Sequence, residues 1–422
     1  MSSLTRKIAR SGPLLAAVLV AACDSADVES RPGGADGGAA EPLVTRLADV
    51  AGSDAAQPHL ARSSDGTVIM NWQRPSDAGY VLEFARLTGR QWSEPERVAE
   101  GENWFINWAD FPSVVPIAGD IWMAHWLEGI PDSFAYNAMI SVSMDAGRSW
   151  RTPILLNDDG TETEHGFVTL FPWDAGMGAV WLDGRRLDEW TFEKELAAEI
   201  PLGVSLYFAR LDASGGMLER GEIDELVCDC CQPDVALASG GPVLVYRDRT
   251  PEEVRDIVAR RYRDGAWSQA VAVGDDNFEI DGCPVNGPTV AARGDAVVAA
   301  WFTAPGNQPA VRFARSDDAG ASFAPAIDLD AVGSFGQTDV VLLDDSAAIV
   351  SWWRRHPEGG LALVLQRVEA DGTLGPKRTV AHSDVSQPLD VPQMVQADDG
   401  LVLVWTGIDA QAGIHAIHVS GL

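Results

Sequence analysis

The chain reads as an all-β protein folded as a single β-propeller of seven blades. Three observations predict it. A phrase of two short strands ending in an aromatic recurs seven times, successive aromatics stand roughly 50 to 65 residues apart, and turns bearing Gly or Asp separate the strands throughout. That spacing suits one four-stranded blade with its loops.

The first copy runs from Pro58 to Trp72, and the others end at Trp126, Trp181, Tyr246, Trp301, Trp352 and Trp405. Each phrase supplies the first two strands of a blade. The segment after it, such as YVLEFARLTGRQWSEPERV after Trp72, supplies the outer two. The last copy leaves room only for a third strand, roughly residues 413–420. Its fourth is expected from PLVTRLADV, residues 42–50, arriving from the N-terminal side to close the ring. A large aromatic at one strand position suits packing between neighbouring blades, so these rings read as architecture.

With 422 residues, 46% hydrophobic and 22% charged, the chain has material for a large core, which excludes disorder for most of it. Residues 1–22 carry Arg6, Lys7 and Arg10, then an apolar run from Pro13 to Ala22 that is too short to span a bilayer and reads as a secretion signal. Residues 23–41 read as an anchor point and flexible tether, and 42–422 as the propeller. The net charge of −31 argues against a nucleic-acid partner and suits the solvated surface of an exported protein. The segment Val20-Ala21-Ala22-Cys23 resembles the lipobox of bacterial lipoproteins. That resemblance implies lipidation of Cys23 and a membrane-anchored protein of the bacterial cell envelope, in the periplasm or at the cell surface, touching the membrane through its lipid alone.

Two outer turns, Ser143-Met-Asp145-Ala-Gly147-Arg-Ser-Trp150 and Ser316-Asp-Asp318-Ala-Gly320-Ala-Ser-Phe323, match the Asp-box pattern Ser-x-Asp-x-Gly-x-x-Trp/Phe. Degenerate copies end at Trp92, Trp267 and Leu374. Residues 42–422 thus resemble the sialidase-like Asp-box (BNR repeat) propellers. Because the sialidases of that family have six blades, six is the alternative count. In the turn itself, Asp caps the loop, Gly takes the positive φ, and the aromatic plugs the turn into the blade. This is a folding device and carries no catalytic meaning.

Connectivity puts the Asp-boxes on one face and the loops after each repeated aromatic on the other, together with the loops leading into each blade. The second face collects Arg74 and Asp77; Asp183, Arg185 and Arg186; Arg247, Asp248 and Arg249; and Arg354, Arg355 and His356. It also collects His59, Asp110 and His165. Several guanidinium groups around one axis suit carboxylate, sulfate or phosphate recognition, which makes Arg74, Arg185, Arg247, Arg249 and Arg354 ligand-binding candidates. Mutual salt bridging around a wet channel is the alternative.

The family resemblance implies a sialidase constellation of three arginines, an acid Asp and a Tyr activated by Glu. Here the segment Ala56-Gln57-Pro58-His59-Leu60 lacks the Arg-Ile-Pro motif, and no Tyr/Glu nucleophile is identifiable. The stretch Trp72-Gln-Arg74-Pro-Ser-Asp77 does resemble the family's Arg followed by its acid, leaving Asp77, Asp183 and Asp248 as acid/base candidates.

Beyond Cys23 there are four cysteines, Cys228, Cys230, Cys231 and Cys283, in segments that lead into adjacent blades, so their thiols are expected to meet. An exported chain favours disulfides, and adjacent Cys230 and Cys231 are too close to bond without strain, so a bond from Cys283 to one of the three is expected. No cofactor is otherwise expected; a soft ion such as copper or zinc on these thiols, with His165 as a neighbour, is the alternative. The pattern Cys-x-Cys-Cys, Tyr246-Arg-Asp248 with Arg255-Asp-Ile257, and Gly282-Cys-Pro-Val-Asn-Gly-Pro288 resembles a set of bacterial Asp-box proteins generally labelled sialidase-like. No activity follows from it. The expectation is an envelope-anchored propeller that binds an anionic or glycan ligand, a small anion or an envelope protein. A glycoside hydrolase or lyase on anionic glycans, and metal or redox chemistry at the thiols, are the alternatives.

Overall fold

A computed structural model describes residues 41–188, 201–386, 388, 390–407 and 412–422. The signal, nearly all of the tether and Cys23 lie outside the described residues. The described chain forms seven antiparallel sheets, each one blade. The inner strands are Ala56–Arg62, Ser113–Ala118, His165–Trp173, Asp234–Ala238, Thr289–Arg293, Ser334–Leu342 and Gln393–Ala397. The seventh blade runs Gln393–Ala397, Gly400–Gly407, Gly413–Ser420 and then Leu43–Arg46. Leu43 pairs with Ser420 and Arg46 with Ile417, so the N-terminal strand closes the ring as expected, and the count is seven.

The repeated aromatics are buried, with Trp72, Trp181, Trp301 and Trp352 wholly so. Packing is only half of their role. The Tyr246 hydroxyl donates to Asp224 (2.6 Å), Trp301 Nε1 to Asp276 (2.7 Å) and Trp352 Nε1 to Asp330 (2.9 Å). Each of these carboxylates comes from the blade before or the segment that follows it, and lies 22 to 25 residues upstream of its aromatic. A cation from the same or the next blade completes the group: Arg260 on Asp224, Arg312 on Asp276, and Lys377 on Asp330. Part of the chain's acidity is therefore interior structure rather than solvated surface.

Nearer the axis, side chains from one blade clasp the backbone of the next at all seven junctions. Asn71 accepts the Val114 N–H (2.8 Å), Asp110 that of Phe167 (2.7 Å), Asp234 that of Val290 (2.8 Å), Asn286 that of Gln337 (2.7 Å) and Asp339 that of Met394 (2.5 Å). Thr169 donates to the Pro233 carbonyl (2.6 Å), and Thr406 accepts the Gln57 N–H (3.2 Å). The clasped residues Gln57, Phe167 and Gln337 have φ of 52°, 53° and 53°, each inside a register shift of its inner strand. Non-glycine residues adopt that conformation only where the surroundings enforce it, and here the clasp does so.

The two full Asp-boxes behave as the sequence implies. Asp145 accepts the Ser143 hydroxyl (2.8 Å) and the Ser149 N–H (2.8 Å), and Gly147 holds φ at 83°. A Cβ at Gly147 would meet the Phe84 ring at 2.6 Å, so only glycine fits. Ala146 and Ala319 donate to the carbonyls of Asp120 and Asp295 in the turns between the first two strands of their blades, which puts both kinds of turn on one face.

Two predictions follow from this interior. Asp276→Ala leaves Trp301 Nε1 without its partner and Arg312 with Asp328 alone, and urea titration should show a loss of about 1–3 kcal/mol, as expected for an orphaned buried donor. The second concerns pH. Burial pushes Asp110, Asp234 and Asp390 up to about 7 and Asp339 up to about 8. An acid raised on folding stabilises most below its unfolded value, and that contribution is lost as pH rises through its folded value. Burial also lowers His59 to about 4 and His125 to about 3, which works oppositely: their contribution is present above the unfolded value near 6.5 and lost as pH falls. The two effects oppose each other between about pH 4 and 6.5, leaving the acids alone above about pH 7. The melting temperature should therefore fall by about 2–5 °C from pH 7 to 8.5, and by less in Asp339→Asn.

Candidate functional site

The inner strands enclose a cavity of about 210 Å³ on the propeller axis. Its wall carries Asp234 and Asp339, each of which spends both carboxylate oxygens on backbone N–H groups. It also carries two buried polar atoms with no partner, His59 Nδ1 and Thr289 Oγ1. Orphaned polar atoms facing a cavity are places for a ligand or ordered water. Gln337 also lines an outer cavity of about 400 Å³, rimmed by Trp108, Pro284, Val285, Phe335 and Pro388. Trp108 is 39% exposed, unlike the buried repeat tryptophans, and Arg355 lies over the Phe335 ring at 4.7 Å. Among the described residues no carboxylate pairs with Arg355. The rim is thus an aromatic, proline-rich mouth with the Arg355 cation beside Phe335, and it shares Gln337 with the polar axial cavity.

The predicted ligand-binding arginines do not converge on this mouth as free cations. Arg74 forks onto Glu83 at 2.8 and 2.9 Å, and Arg249 onto Glu253 at 2.6 Å. Arg354 reaches Asp330 at 3.4 Å. Arg185 grips Asp183 through two 2.7 Å bonds and stacks on Tyr207 at 3.8 Å. Arg247 is the clearest correction: it is 1% exposed and donates to the carbonyls of Asn286 (3.0 Å), Arg255 (2.8 Å) and Phe302 (2.6 Å). The alternative of mutual pairing describes these arginines better, because each finds a carboxylate or a ring of carbonyls close by.

The acid/base candidates are also scattered. Asp77 sits exposed in the turn between Val68–Ser76 and Gly79–Thr88. Asp183 is wholly buried and holds Trp181 Nε1 (2.8 Å) as well as Arg185. Asp248 is half-buried, and burial pushes it up to about 6. Two tyrosines that could have served as nucleophiles are engaged elsewhere, Tyr246 with Asp224 and Tyr136 with Asp110 (3.3 Å). The ring nitrogens of His165 are engaged with the Tyr136 carbonyl (3.3 Å) and Asp159 (3.0 Å) rather than with the thiols. With Asp159 and Asp183 it forms a group whose donor atoms lie within 4.8 Å of one another, and Arg185 already pairs with both carboxylates.

The four cysteines do meet. Cys230 is paired with Cys283 (Cα–Cα 6.1 Å) and Cys228 with Cys231 (5.7 Å), both within the ordinary disulfide range. The first bond staples the fourth and fifth blades across 53 residues, worth about 4 kcal/mol by chain-entropy arithmetic. The sulfurs of Cys228, Cys230 and Cys231 lie within 4.8 Å of one another. They could hold a soft ion only as thiolates, which the paired state does not offer. Around them the motif residues form one packed unit. Arg247 ties Arg255 to Asn286, Asp256 accepts the N–H groups of Asn277 (2.9 Å) and Phe278 (3.0 Å), and Gly287 lets the fifth blade approach the fourth, since a Cβ there would meet the Gln232 carbonyl at 2.1 Å.

Sequence reading missed Trp108, Phe335 and Thr289. Trp108 lay within reach, because it falls outside the repeated aromatic register and so has no packing role assigned.

No family model matches the chain, and no curated protein matches its sequence. Solved structures with a similar course of chain include the phage phi92 endosialidase (TM-score 0.49, 9% identity, 90% of this chain and 69% of that one). An α-L-arabinofuranosidase from Fusarium graminearum bound to an iminosugar inhibitor aligns with TM-score 0.45 at 12% identity, over 90% of this chain and 97% of that one. A protein of unknown function from Dyadobacter fermentans gives 0.47 and 14%, over 90% and 98%. At such scores and identities these likenesses say nothing about the chemistry of this chain.

Proposed function

We propose that the propeller binds a saccharide at its axial mouth. The observation that carries this reading is the pairing of the exposed Trp108 and the half-buried Phe335 at the rim with unpartnered polar atoms, His59 Nδ1 and Thr289 Oγ1, in the adjoining axial cavity that shares Gln337. A sugar ring offers an apolar C–H face to an aromatic and hydroxyls to polar groups, and a mouth of this construction meets both demands. Arg355 over Phe335 gives the rim a cation for an acidic substituent. Binding suits this site better than hydrolysis. A glycosidase needs two carboxyl groups flanking the bond it cuts, and the axial carboxyls Asp234 and Asp339 are committed to backbone amides. The lipobox-like segment before Cys23 supports an envelope-anchored location, where glycans are at hand.

The test is titration calorimetry with neutral xylo- and malto-oligosaccharides and with sialyllactose. Trp108→Ala should weaken any binding about tenfold or more, the loss of roughly 1.4 kcal/mol or above expected for a stacked aromatic anchor. If the acidic sugar is the ligand, Arg355→Ala should reduce its binding while leaving neutral sugars unchanged. Turnover of a fluorogenic glycoside by the purified protein would overturn the binding-only reading.

A further inference from the structure

We propose that the four cysteines form a thiol–disulfide exchange site, which passes electron pairs between an external dithiol and the buried Cys228–Cys231 pair. Burial is graded across the cluster: Cys283 is exposed, Cys230 half-buried, and Cys228 and Cys231 are 1% exposed. The outer bond explains itself as a staple between two blades. The inner one does not, since it spans three positions of a single loop and constrains little. Two contacts give it a role. Cys228 Sγ lies 4.0 Å from Cys230 Sγ, so the two bonds are neighbours. Arg255, 3% exposed, donates to Cys228 Sγ at 3.6 Å while Glu253 (2.8 Å) and Asp229 (3.0 Å) hold it in place. A fixed cation beside a sulfur stabilises its thiolate.

The exchange runs inward in four displacements. A thiolate of the external dithiol attacks Cys283 Sγ, breaking the outer bond and releasing Cys230 as thiolate. Cys230 attacks the neighbouring Cys228 Sγ, forming a Cys228–Cys230 bond and releasing Cys231, which takes up a proton. The donor's second thiolate attacks its own sulfur in the mixed disulfide, leaves as a disulfide and frees Cys283. Cys283 then attacks Cys230, restoring the staple and expelling Cys228 as a thiolate beside Arg255. The donor loses two electrons and two protons. The inner pair gains both electrons and one proton, and the other proton goes to solvent. Each step is the usual attack of a thiolate on a disulfide sulfur, and the reverse sequence oxidises a partner dithiol.

The experiment equilibrates the full, folded chain in buffers of reduced and oxidised dithiothreitol, quenches with acid, alkylates in denaturant and maps the labelled peptides. The first two-electron step should label Cys228 and Cys231, with Cys230–Cys283 intact. Label confined to Cys230 and Cys283, or none before the protein unfolds, would overturn the proposal and leave two structural bonds. Arg255→Met should require about tenfold more reducing buffer for the same step; an unchanged ratio in a folded variant removes Arg255 from the mechanism and counts against the inward path. The labelling pattern needs no variant, so it decides the matter even where Arg255→Met does not fold.

Discussion

The structure depends on polar side chains that reach from one blade to hold the backbone of the next. A blade touches only its neighbours, so the ring is as strong as its weakest junction. Apolar packing fills the space between sheets but does not fix their register. The clasps at Asn71, Asp110, Thr169, Asp234, Asn286, Asp339 and Thr406 do, because each is a directed hydrogen bond in a buried or partly buried place. The tyrosine and tryptophan bonds to Asp224, Asp276 and Asp330 repeat the device further from the axis. An acidic sequence is thus partly an acidic interior, with its carboxylates held by amides, indoles and guanidinium groups.

The same clasps shape the candidate site. They hold Gln57, Phe167 and Gln337 at positive φ where the inner strands begin, and Gln337 lines both the outer mouth and the axial cavity. They also consume the carboxylates that a glycosidase would need. What is left over at the mouth is aromatic surface, one guanidinium and a few orphaned polar atoms, and that remainder is a binding site in character. The cysteine cluster adjoins the mouth, since Cys283 precedes the rim residues Pro284 and Val285, and it lies where the fourth and fifth blades approach closely enough to require glycine at position 287.

How far the sequence could be read followed from the range of each interaction. The blades, their number and the closing strand were legible because they repeat, and because strand and turn patterns are local. The Asp-box geometry was legible for the same reason: Ser143, Asp145, Gly147 and Ser149 bond within one turn. The meeting of the four cysteines was legible too, since topology alone brings the two loops together. The site was not. Arginines placed on the correct face were expected to point at a ligand, yet Arg74 and Arg185 find carboxylates on their own blades and Arg247 finds three carbonyls.

By itself the sequence determined the architecture of this protein, the face on which its unusual residues gather, and the two segments that carry its thiols, all of which are set by periodicity and connectivity. Only the tertiary structure decided which charges are spent on one another, which sulfurs pair, and that Trp108, Phe335 and Arg355 share one rim. The physical reason is that side-chain pairing is settled over a few ångströms between residues from different blades. No periodicity along the chain records that distance.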